Sequence, residues 1–410
     1  MKTRLFIGDD KGRRMYKAHG GTDKGTSIIL PNAICRGYQI KDEDNPLKRN
    51  RIQNPPKVKL LDAMIVIDGN EQTKQRYHVG EYAIANNKGD LVNMSRGVHK
   101  YTPLQARYTS AIQFITHAYL AYELGHNDVL IHAESCVPLG ESERAENEVV
   151  ATQNKDFLKD YTEAIKGKSI EVRFLDPAFN GAIVKLEYQD QSFSTEGKNA
   201  LLAEIYDADT MEANEAMEMI LSQGGLIGLN LGSTTTDPAA INKDHDYISA
   251  AYFSIDDEGT TSIVDRMLEV LKVDYDYEPD PIYLDYLIRN GGSVYYNDVE
   301  INIRDLAVPL IEEVLISIRT KFINKARRRG FKYNELPAMI LTGGFVQMIK
   351  ETYSELMPFL KSLIPNCKIM ISQHPLFREA EGCFIWSKLR YINQVEQEKA
   401  AYSSFAEGTS

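Results

Sequence analysis

The stretch IGDDKG at residues 7–12 returns in altered form as IGLNLG at residues 227–232, so the two copies lie 220 positions apart. They share the isoleucine, both glycines and an Asp/Asn position. Each copy ends a strand-like run and enters a tight turn, where glycine lets backbone N–H groups approach an anion. Either turn alone would be an ordinary glycine turn of an α/β protein. One copy at the head of each half of the chain predicts a pair of phosphate-binding turns.

Polar side chains and a third glycine element accompany these turns. Ser233 and Thr234 supply hydroxyl donors beside the second turn. Asp10 could hold water on a phosphate-bound Mg²⁺, an ion that keeps several waters and touches few carboxylates. Gly343 and Gly344 follow a strand-like run, where two glycines let a flat base or ribose rest on the backbone. By itself this third element would be an ordinary strand-to-helix turn.

The predicted elements follow one order in both halves of the chain: three strands, a helix, a strand and a helix. The clearest helix starts at Pro103, after a Thr102 cap, and ends before Gly125. In the second half, residues 247–254 are predicted as the third strand. A repeated order of this kind predicts two related α/β domains with a cleft between them.

The domain boundaries follow from the repeat. We expect domain I at residues 1–225, with an inserted subdomain at about residues 22–98, and domain II at residues 226–384. A helix at residues 385–396 is expected to pack back on domain I. The polar, small residues at 397–410 are expected to form a disordered tail.

Composition limits the classes of function. The 410 residues are 43% hydrophobic and 26% charged, with a net charge of −11, which argues against direct binding of nucleic acid. The basic run at residues 327–329 is instead expected to end a helix before Gly330. The longest apolar helical pattern, residues 111–122, is shorter than the ~18 residues of a membrane span. Four cysteines without metal spacing and an opening too short for a signal peptide predict a cytoplasmic protein.

Three motifs resemble those of the superfamily of actin, sugar kinases and DnaK chaperones. IGxDxG at residues 7–12, with Lys17 beyond it, is similar to the first phosphate motif. LNLGSTTTD at residues 229–237 is similar to the second, and LTGG at residues 341–344 to the adenosine motif. The resemblance implies the actin-like ATPase fold, in which two RNase H-like α/β domains surround a nucleotide cleft.

Within that superfamily, the chain resembles the ParM-like and archaeal actin-like branch most. The similar segments are YHVGEYA at 77–83, VPLG at 137–140, TEG at 195–197, and Pro375 with Glu381-Gly382. The TEG segment resembles the one that places a catalytic glutamate. The likeness runs through nearly the whole chain in the expected order.

The resemblance implies a role for each matching residue. Asp10 would organise the waters of Mg²⁺, Lys17 would reach the β- and γ-phosphates, and Glu196 would orient the attacking water. The other implied nucleotide-binding residues are Gly12, Gly232, Ser233, Thr234, Asp237, Gly343, Gly344 and Phe345. The implied ligands are Mg²⁺ with ATP or ADP, or with GTP. Glu196 is equally open to interpretation as a solvated loop carboxylate.

Two departures from the family pattern stand out. Arg13-Arg14 occupies the first turn, where small or polar residues are usual. Asn230 stands where the family has an aspartate that we expect to act in catalysis. Asparagine keeps the size but lacks the charge and cannot accept a proton, so hydrolysis is expected to be slow. Alternatively, Asn230 only packs the turn through local hydrogen bonds.

Four functions fit the resemblance. The first is a filament-forming ATPase that associates with itself and segregates plasmid or other DNA through a separate DNA-binding adaptor, without binding DNA or membrane itself. A small-molecule kinase would need a carboxylate base beside the acceptor and a larger substrate domain. A DnaK-type chaperone would need a peptide-binding module. A non-hydrolysing cytoskeletal scaffold stays open because of Asn230.

Overall fold

Two sheets organise the chain, one in each half. The computed structural model describes residues 2–12, 14–41, 60–86, 92–93, 103–137, 158, 161–163 and 165–407. Within them, a ten-stranded sheet is the centre of domain I and a four-stranded sheet is the centre of domain II. The α/β architecture predicted from the repeat is therefore confirmed.

The sheet of domain I is mixed. Its strands are β1 (Thr3–Lys11), β2 (Met15–Gly21), β3 (Gly25–Pro31), β4 (Ala33–Arg36), β5 (Asp62–Ile67), β6 (Asn70–Val79), β7 (Val92–Asn93), β8 (Asp128–Val137), β9 (Ser169–Phe174) and β10 (Ile183–Thr195). Their order is β3-β2-β1-β8-β10-β9-β5-β6-β4-β7. The described strands within the inserted subdomain expected at 22–98 belong to this sheet and not to a separate one, because β3 pairs with β2 and β5 joins β9.

Helix α2 covers one face of this sheet. The described helices of the first half are α1 (Glu81–Asn86) and α2 (Pro103–Glu123). Ile112 and Ile115 of α2 are fully buried in one cluster with Ile7 of β1. Gly125 has a φ of 79°, and the next N–H, from His126, donates to Ala121 at 2.8 Å. This left-handed cap ends the helix where the sequence predicted.

The sheet of domain II begins with two consecutive strands, where the sequence predicted three. Its sheet contains β11 (Gly225–Leu231), β12 (Thr236–Asn242), β15 (Met339–Thr342) and β16 (Ile369–Ile371), in the order β12-β11-β15-β16. The expected third strand at 247–254 makes one isolated bridge, between Tyr247 and Ile241, and the residue after it, Ile255, makes another with Thr236. Thr236 exchanges both backbone hydrogen bonds with Ile255. Two residues on, Pro238 faces the same way without an N–H, so the ladder cannot continue.

Helices complete domain II. They are α3 (Lys198–Ile205), α4 (Glu215–Ser222), α5 (Thr260–Tyr275), α6 (Pro281–Asn290), α7 (Ile303–Arg328), α8 (Gly344–Thr352) and α9 (Met357–Lys361), with a hairpin of β13 (Ser293–Tyr296) and β14 (Val299–Asn302) before α7. The basic run ends α7, as predicted, and Gly330 follows with a φ of 67°. No helix in the described part of the chain combines the length and apolar character needed to cross a membrane.

The boundary between the domains lies near Gly197, which corrects the expected boundary at residue 225. Leu201 and Ile205 of α3 and Leu221 of α4 are buried in one cluster with Leu226 and Ile340 of the domain II sheet. The chain therefore enters domain II directly after β10. Polarity along the sequence could not show this, because a helix packed on either domain has the same amphipathic pattern.

The last helix, α10 (Arg378–Glu407), returns the chain to domain I. The ring of Tyr391 lies 5.5 Å from that of Phe6 in β1, and Lys388 Nζ donates to the carbonyl of Asp23 at 2.7 Å. The helix is longer than the segment expected at residues 385–396. The expectation of a disordered tail from residue 397 is wrong through Glu407, where Glu, Lys and Ala favour helix.

Candidate functional site

The two glycine turns have the same local structure. A Cβ on Gly12 would lie 2.8 Å from the carbonyl oxygen of Met15, and a Cβ on Gly232 would lie 2.8 Å from that of Thr235. Each turn thus folds back on the carbonyl three residues later, which leaves no room for a side chain. The sequence repeat therefore corresponds to a structural repeat.

The strands that carry these turns are also equivalent. Asp10 lies opposite Lys17 between β1 and β2, and Asn230 lies opposite Asp237 between β11 and β12. On the other side, the parallel neighbour of Asp10 is Cys136. Each turn therefore presents a pair of polar side chains at the end of its hairpin.

The other repeated glycine, Gly8 or Gly228, serves helix packing. A Cβ on Gly8 would lie 2.0 Å from the carbonyl oxygen of Ala380 in α10. A Cβ on Gly228 would meet the side chain of Leu201 in α3 at 3.3 Å. The first glycine of each copy thus allows a helix to lie close to the sheet, α10 in domain I and α3 in domain II. Only the second glycine of each copy belongs to the turn.

The two aspartates of the first copy point to opposite faces of β1. Asp9 is fully buried, with one carboxylate oxygen 3.1 Å from Lys11 Nζ and the other 3.2 Å from His117 Nε2. Burial opposes its ionisation, but Lys11 and His117 outweigh burial and keep the pKa of Asp9 lowered. Successive side chains alternate along a strand, so Asp10 is the one that faces the cleft.

Asp10 and Lys17 form an ion pair at the mouth of the first turn. Their side chains are only 6% and 13% exposed, so water screens the pair weakly. Burial disfavours the charged ammonium, but the carboxylate of Asp10 outweighs it and raises the pKa of Lys17. Lys17 is therefore a fixed positive charge beside the turn, as expected for a group that contacts phosphate.

Glu196 joins Asp10 from the end of β10, which is separated from β1 by β8. The carboxylates of Asp10 and Glu196 and the thiol of Cys136 offer donor atoms that all lie within 4.8 Å of one another. Glu196 follows β10 directly, and Gly197 turns the chain with a φ of 81°. The fold therefore brings the carboxylates of Asp10 and Glu196 close together.

This cluster fits Mg²⁺ through its oxygen atoms. Two carboxylates and open coordination positions for water suit a small, hard cation, whereas a thiol does not. Burial raises the pKa of Cys136 well above its ordinary value, so the thiol stays protonated. Asp10 and Glu196 are the residues that would hold the hydrated ion.

The second turn presents hydroxyl groups. The side chain of Thr234 places its Oγ1 in a buried position without a hydrogen-bond partner among the described residues. Thr235 Oγ1 donates to Asp237 Oδ2 at 2.7 Å, and the carbonyl of Ser233 accepts the N–H of Thr261 at 2.8 Å. The start of α5 therefore holds the turn, and the unpartnered Thr234 hydroxyl beside it is a donor that an anionic ligand could use.

The third glycine element lies beside the second turn. Gly343 has a φ of 99°, and a Cβ there would be 2.4 Å from Asn230 Oδ1. Gly344 starts α8, one residue further. Phe345, which the resemblance assigned to the nucleotide, is fully buried in the core of domain II, so its ring cannot contact a ligand in the cleft. Phe345 lies in the first turn of α8, on the side that packs against the sheet of domain II. The assignment of its side chain to the nucleotide is therefore corrected.

Arg14 connects the two domains. Its guanidinium forms an ion pair with Asp285 of α6, and both side chains are mostly buried. Asp285 also accepts from Arg289 Nε at 3.0 Å, and Arg289 Nη2 donates to Thr260 Oγ1 at 3.0 Å at the start of α5. The unusual arginine of the first turn is thus linked, through Asp285 and Arg289, to the start of α5, which holds the second turn. Arg13 and residues 138–140 lie outside the described residues.

Sequence reasoning missed one buried carboxyl of the site, Glu379. It lies in the first turn of α10 and accepts the N–H of Gly197 on Oε1 at 2.6 Å. Nothing in the helical pattern separates Glu379 from the neighbouring acidic residues of α10. Only the packing of two distant segments brings it to the turn that carries Glu196.

Solved structures share the two-domain α/β architecture described above. The chain has the actin-like fold. No protein-family model matches the sequence, and no curated protein matches it. The fold is therefore identified by structure.

Three solved structures illustrate the likeness. A 15-stranded ParM filament from Clostridium botulinum has a TM-score of 0.67 at 17% identity, over 94% of this chain and 99% of that one. Bacillus thuringiensis ParM with ATP has a TM-score of 0.61 at 17% identity, over 95% and 100% of the two chains. The archaeal actin homologue Ta0583 has a TM-score of 0.61 at 16% identity, over 94% and 99%. This chain also covers 49% of a hybrid that contains two ParM mutants.

Proposed function

We propose that this chain binds and hydrolyses a nucleoside triphosphate in the cleft and uses it to assemble into filaments. The main support is the pair of equivalent glycine turns, with Asp10, Lys17 and Glu196 at the end of the first turn's sheet. Two anion-binding turns on opposite sides of a cleft suit an extended polyphosphate better than a single phosphate. ATP is the expected ligand, and GTP is the alternative.

The binding roles follow from position and charge. Gly12, Gly232, Ser233 and Thr234 would cradle the phosphates with backbone N–H groups and hydroxyls, and Lys17 would contribute a point charge. Asp10 would hold the waters of Mg²⁺, an ion that neutralises charge on the phosphates when bound. Gly343 and Gly344 would support the nucleoside, and Asp237 would fix the second turn through Thr235.

Hydrolysis depends on placing a water in line with the terminal phosphate. Glu196 is the carboxylate best placed for this work, because it leaves the end of β10 beside Asp10 and is only partly buried. Phosphoryl transfer needs mainly positioning and electrostatic stabilisation from the protein. Asn230 would add neither charge nor proton acceptance, so turnover is expected to be slow.

Self-association is supported by the structural neighbours. One of them is a ParM filament, and others are ParM bound to ATP, ADP and AMPPNP. We propose a cytoplasmic filament of this chain that segregates plasmid or other DNA through a DNA-binding adaptor. A net charge of −11 favours an adaptor, because an acidic surface repels the DNA backbone.

Sedimentation tests the filament. The purified chain is expected to pellet with Mg²⁺ and ATP and to stay in the supernatant without nucleotide, with filaments visible by electron microscopy. Phosphate release is followed on the same samples. A chain that binds ATP and phosphorylates a small molecule without pelleting would instead support a kinase.

Ligand-linked stability tests the cleft. Unfolding is expected to shift to higher temperature with Mg²⁺–ATP, because a ligand of the native state adds RT ln(1 + [L]/Kd), about 2.7 kcal/mol at a hundredfold excess over Kd. Asp10→Asn, which keeps size and removes the charge, is expected to reduce this shift. The half-exposed Asp128 provides the matched control, Asp128→Asn. Equal shifts in all three proteins would contradict the assignment of Asp10.

A non-hydrolysing scaffold is the second candidate, and Asn230 favours it. The amide of Asn230 carries no charge and cannot accept a proton, so it could not do the catalytic work expected of an aspartate at this position. A scaffold would pellet with ATP and release no phosphate.

A further inference from the structure

Glu379 is buried between two segments of the proposed site. Only 4% of it is exposed, and its Oε1 accepts the N–H of Gly197 at 2.6 Å. Its Oε2 is also buried and has no hydrogen-bond partner among the described residues. Gly197 directly follows Glu196, so this one carboxyl holds the backbone of the turn that carries the proposed catalytic side chain.

Both connections between the two domains pass through the same place. The chain crosses from domain I to domain II where α3 begins, and it returns where α10 begins. The two helices touch backbone to backbone, since a Cβ on Gly382 would lie 2.0 Å from the carbonyl oxygen of Asn199. Asn199 Nδ2 donates to Cys383 Sγ at 3.2 Å across the same crossing. Glu379 lies one helical turn before this contact.

We propose that Glu379 is a positioning residue that fixes the turn bearing Glu196 and ties its geometry to the crossing of α3 and α10. A movement of the domains about this crossing shifts the carboxyl of Glu379 relative to Gly197, and so shifts Glu196 relative to Asp10. The catalytic part of this inference rests on the proposed hydrolysis, whereas the structural part does not.

The surroundings of Glu379 keep its carboxyl neutral near pH 7. Burial, with smaller contributions from the charges of Asp10 and Asp237, raises the pKa of Glu379 to about 8, although the N–H of Gly197 and the charge of Lys17 oppose the rise. Tyr247 and Cys383 also face it. The folded-state pKa exceeds the ordinary value, so this group's stabilisation is full at acid pH and is lost as the pH rises through about 8.

Two substitutions separate positioning from bulk packing. Glu379→Ala removes the acceptor of the Gly197 N–H, whereas Glu379→Gln keeps an amide oxygen in the same place and cannot ionise. The matched control is Glu381→Gln, in the same turn of α10, where the carboxyl pairs with Arg378 at 2.7 Å and not with Gly197. Readouts are kcat and KM for ATP, amide hydrogen exchange in residues 195–205, and melting temperature against pH.

Glu379→Ala is expected to lower kcat about tenfold or more at unchanged KM, because a small misplacement of a catalytic group is enough for such a loss. Exchange at residues 195–199 should rise in this variant only. Glu379→Gln should restore kcat to within a few-fold. It should also flatten the fall in melting temperature between pH 6 and 9, from about two units below to about one unit above the Glu379 pKa of about 8.

Unchanged exchange at residues 195–199 in Glu379→Ala would overturn the positioning role, and so would an equal rise in Glu381→Gln. If even the parent protein releases no phosphate, the proposed hydrolysis fails and the exchange data alone decide the structural part. Glu379→Gln keeps the proposal testable if the alanine variant does not fold. A folded Glu379→Gln protein that has normal exchange at residues 195–199 and a large loss of kcat would contradict the proposal.

Discussion

Glu196→Gln is expected to slow phosphate release by a factor of about 10²–10⁴, the usual effect of removing a positioned acid–base group. The amide keeps the size of the side chain but cannot take a proton from the attacking water. Binding of Mg²⁺–ATP should survive, because the phosphates are held by the glycine turns and Lys17. Phosphate release and the ATP-induced thermal shift, measured on one preparation, separate the two effects.

Glu215→Gln is the matched control for this experiment. Glu215 is an exposed carboxylate in the first turn of α4, outside the cleft, and the change removes the same charge. Hydrolysis by Glu196→Gln at the rate of the parent would show that Glu196 is a solvated loop carboxylate, the alternative left open by its sequence.

Asn230→Asp is expected to raise the rate of hydrolysis by about 10- to 100-fold, the lower part of the effect of one positioned catalytic partner. The new carboxylate would lie at the end of β11, opposite Asp237 and against Gly343. Charge at this position would orient the attacking water and strengthen the hold on the Mg²⁺ shell. Filaments of the variant should therefore disassemble sooner after ATP is added.

Light scattering and phosphate release, followed together, test this expectation. Asn242→Asp, at the far end of the neighbouring strand β12, introduces the same charge away from the cleft. Equal turnover and equal filament lifetime in parent and Asn230→Asp would return the catalytic work to Asp10 and Glu196. Filaments without any phosphate release, even in Asn230→Asp, would favour the scaffold.

The fold was predictable because its strongest signals are local. Neither glycine turn has room for a side chain at Gly12 or Gly232. The sequence shows this requirement twice, at the same place in each copy of the repeat. The helix Pro103–Glu123 is followed by its own capping glycine, Gly125, which has a φ of 79°. Asp10 and Glu196 could be grouped only through the resemblance, and the sheet then placed their carboxylates together.

The remaining features depend on contacts between distant segments. Pro238 interrupts the pairing only because its nitrogen, which carries no hydrogen, faces the expected third strand at 247–254. The sequence does not show which neighbour the backbone of a strand residue faces. The side of the cleft to which α3 belongs follows from packing. The partners of Arg14 and Glu379 lie in other elements, so neither the ion pair with Asp285 nor the bond to Gly197 has a local pattern.

The close approach of Gly8 to α10 also bears on how the chain folds. The first strand of the protein meets the last helix so tightly that a Cβ on Gly8 would be 2.1 Å from the backbone nitrogen of Phe384. During synthesis, β1 is made long before α10, the helix that packs against it. Contacts of such long sequence separation slow folding and leave apolar surface exposed meanwhile. Domain I therefore completes its native packing only after domain II has been translated, and a nascent chain that stops before α10 keeps the outer face of β1 uncovered.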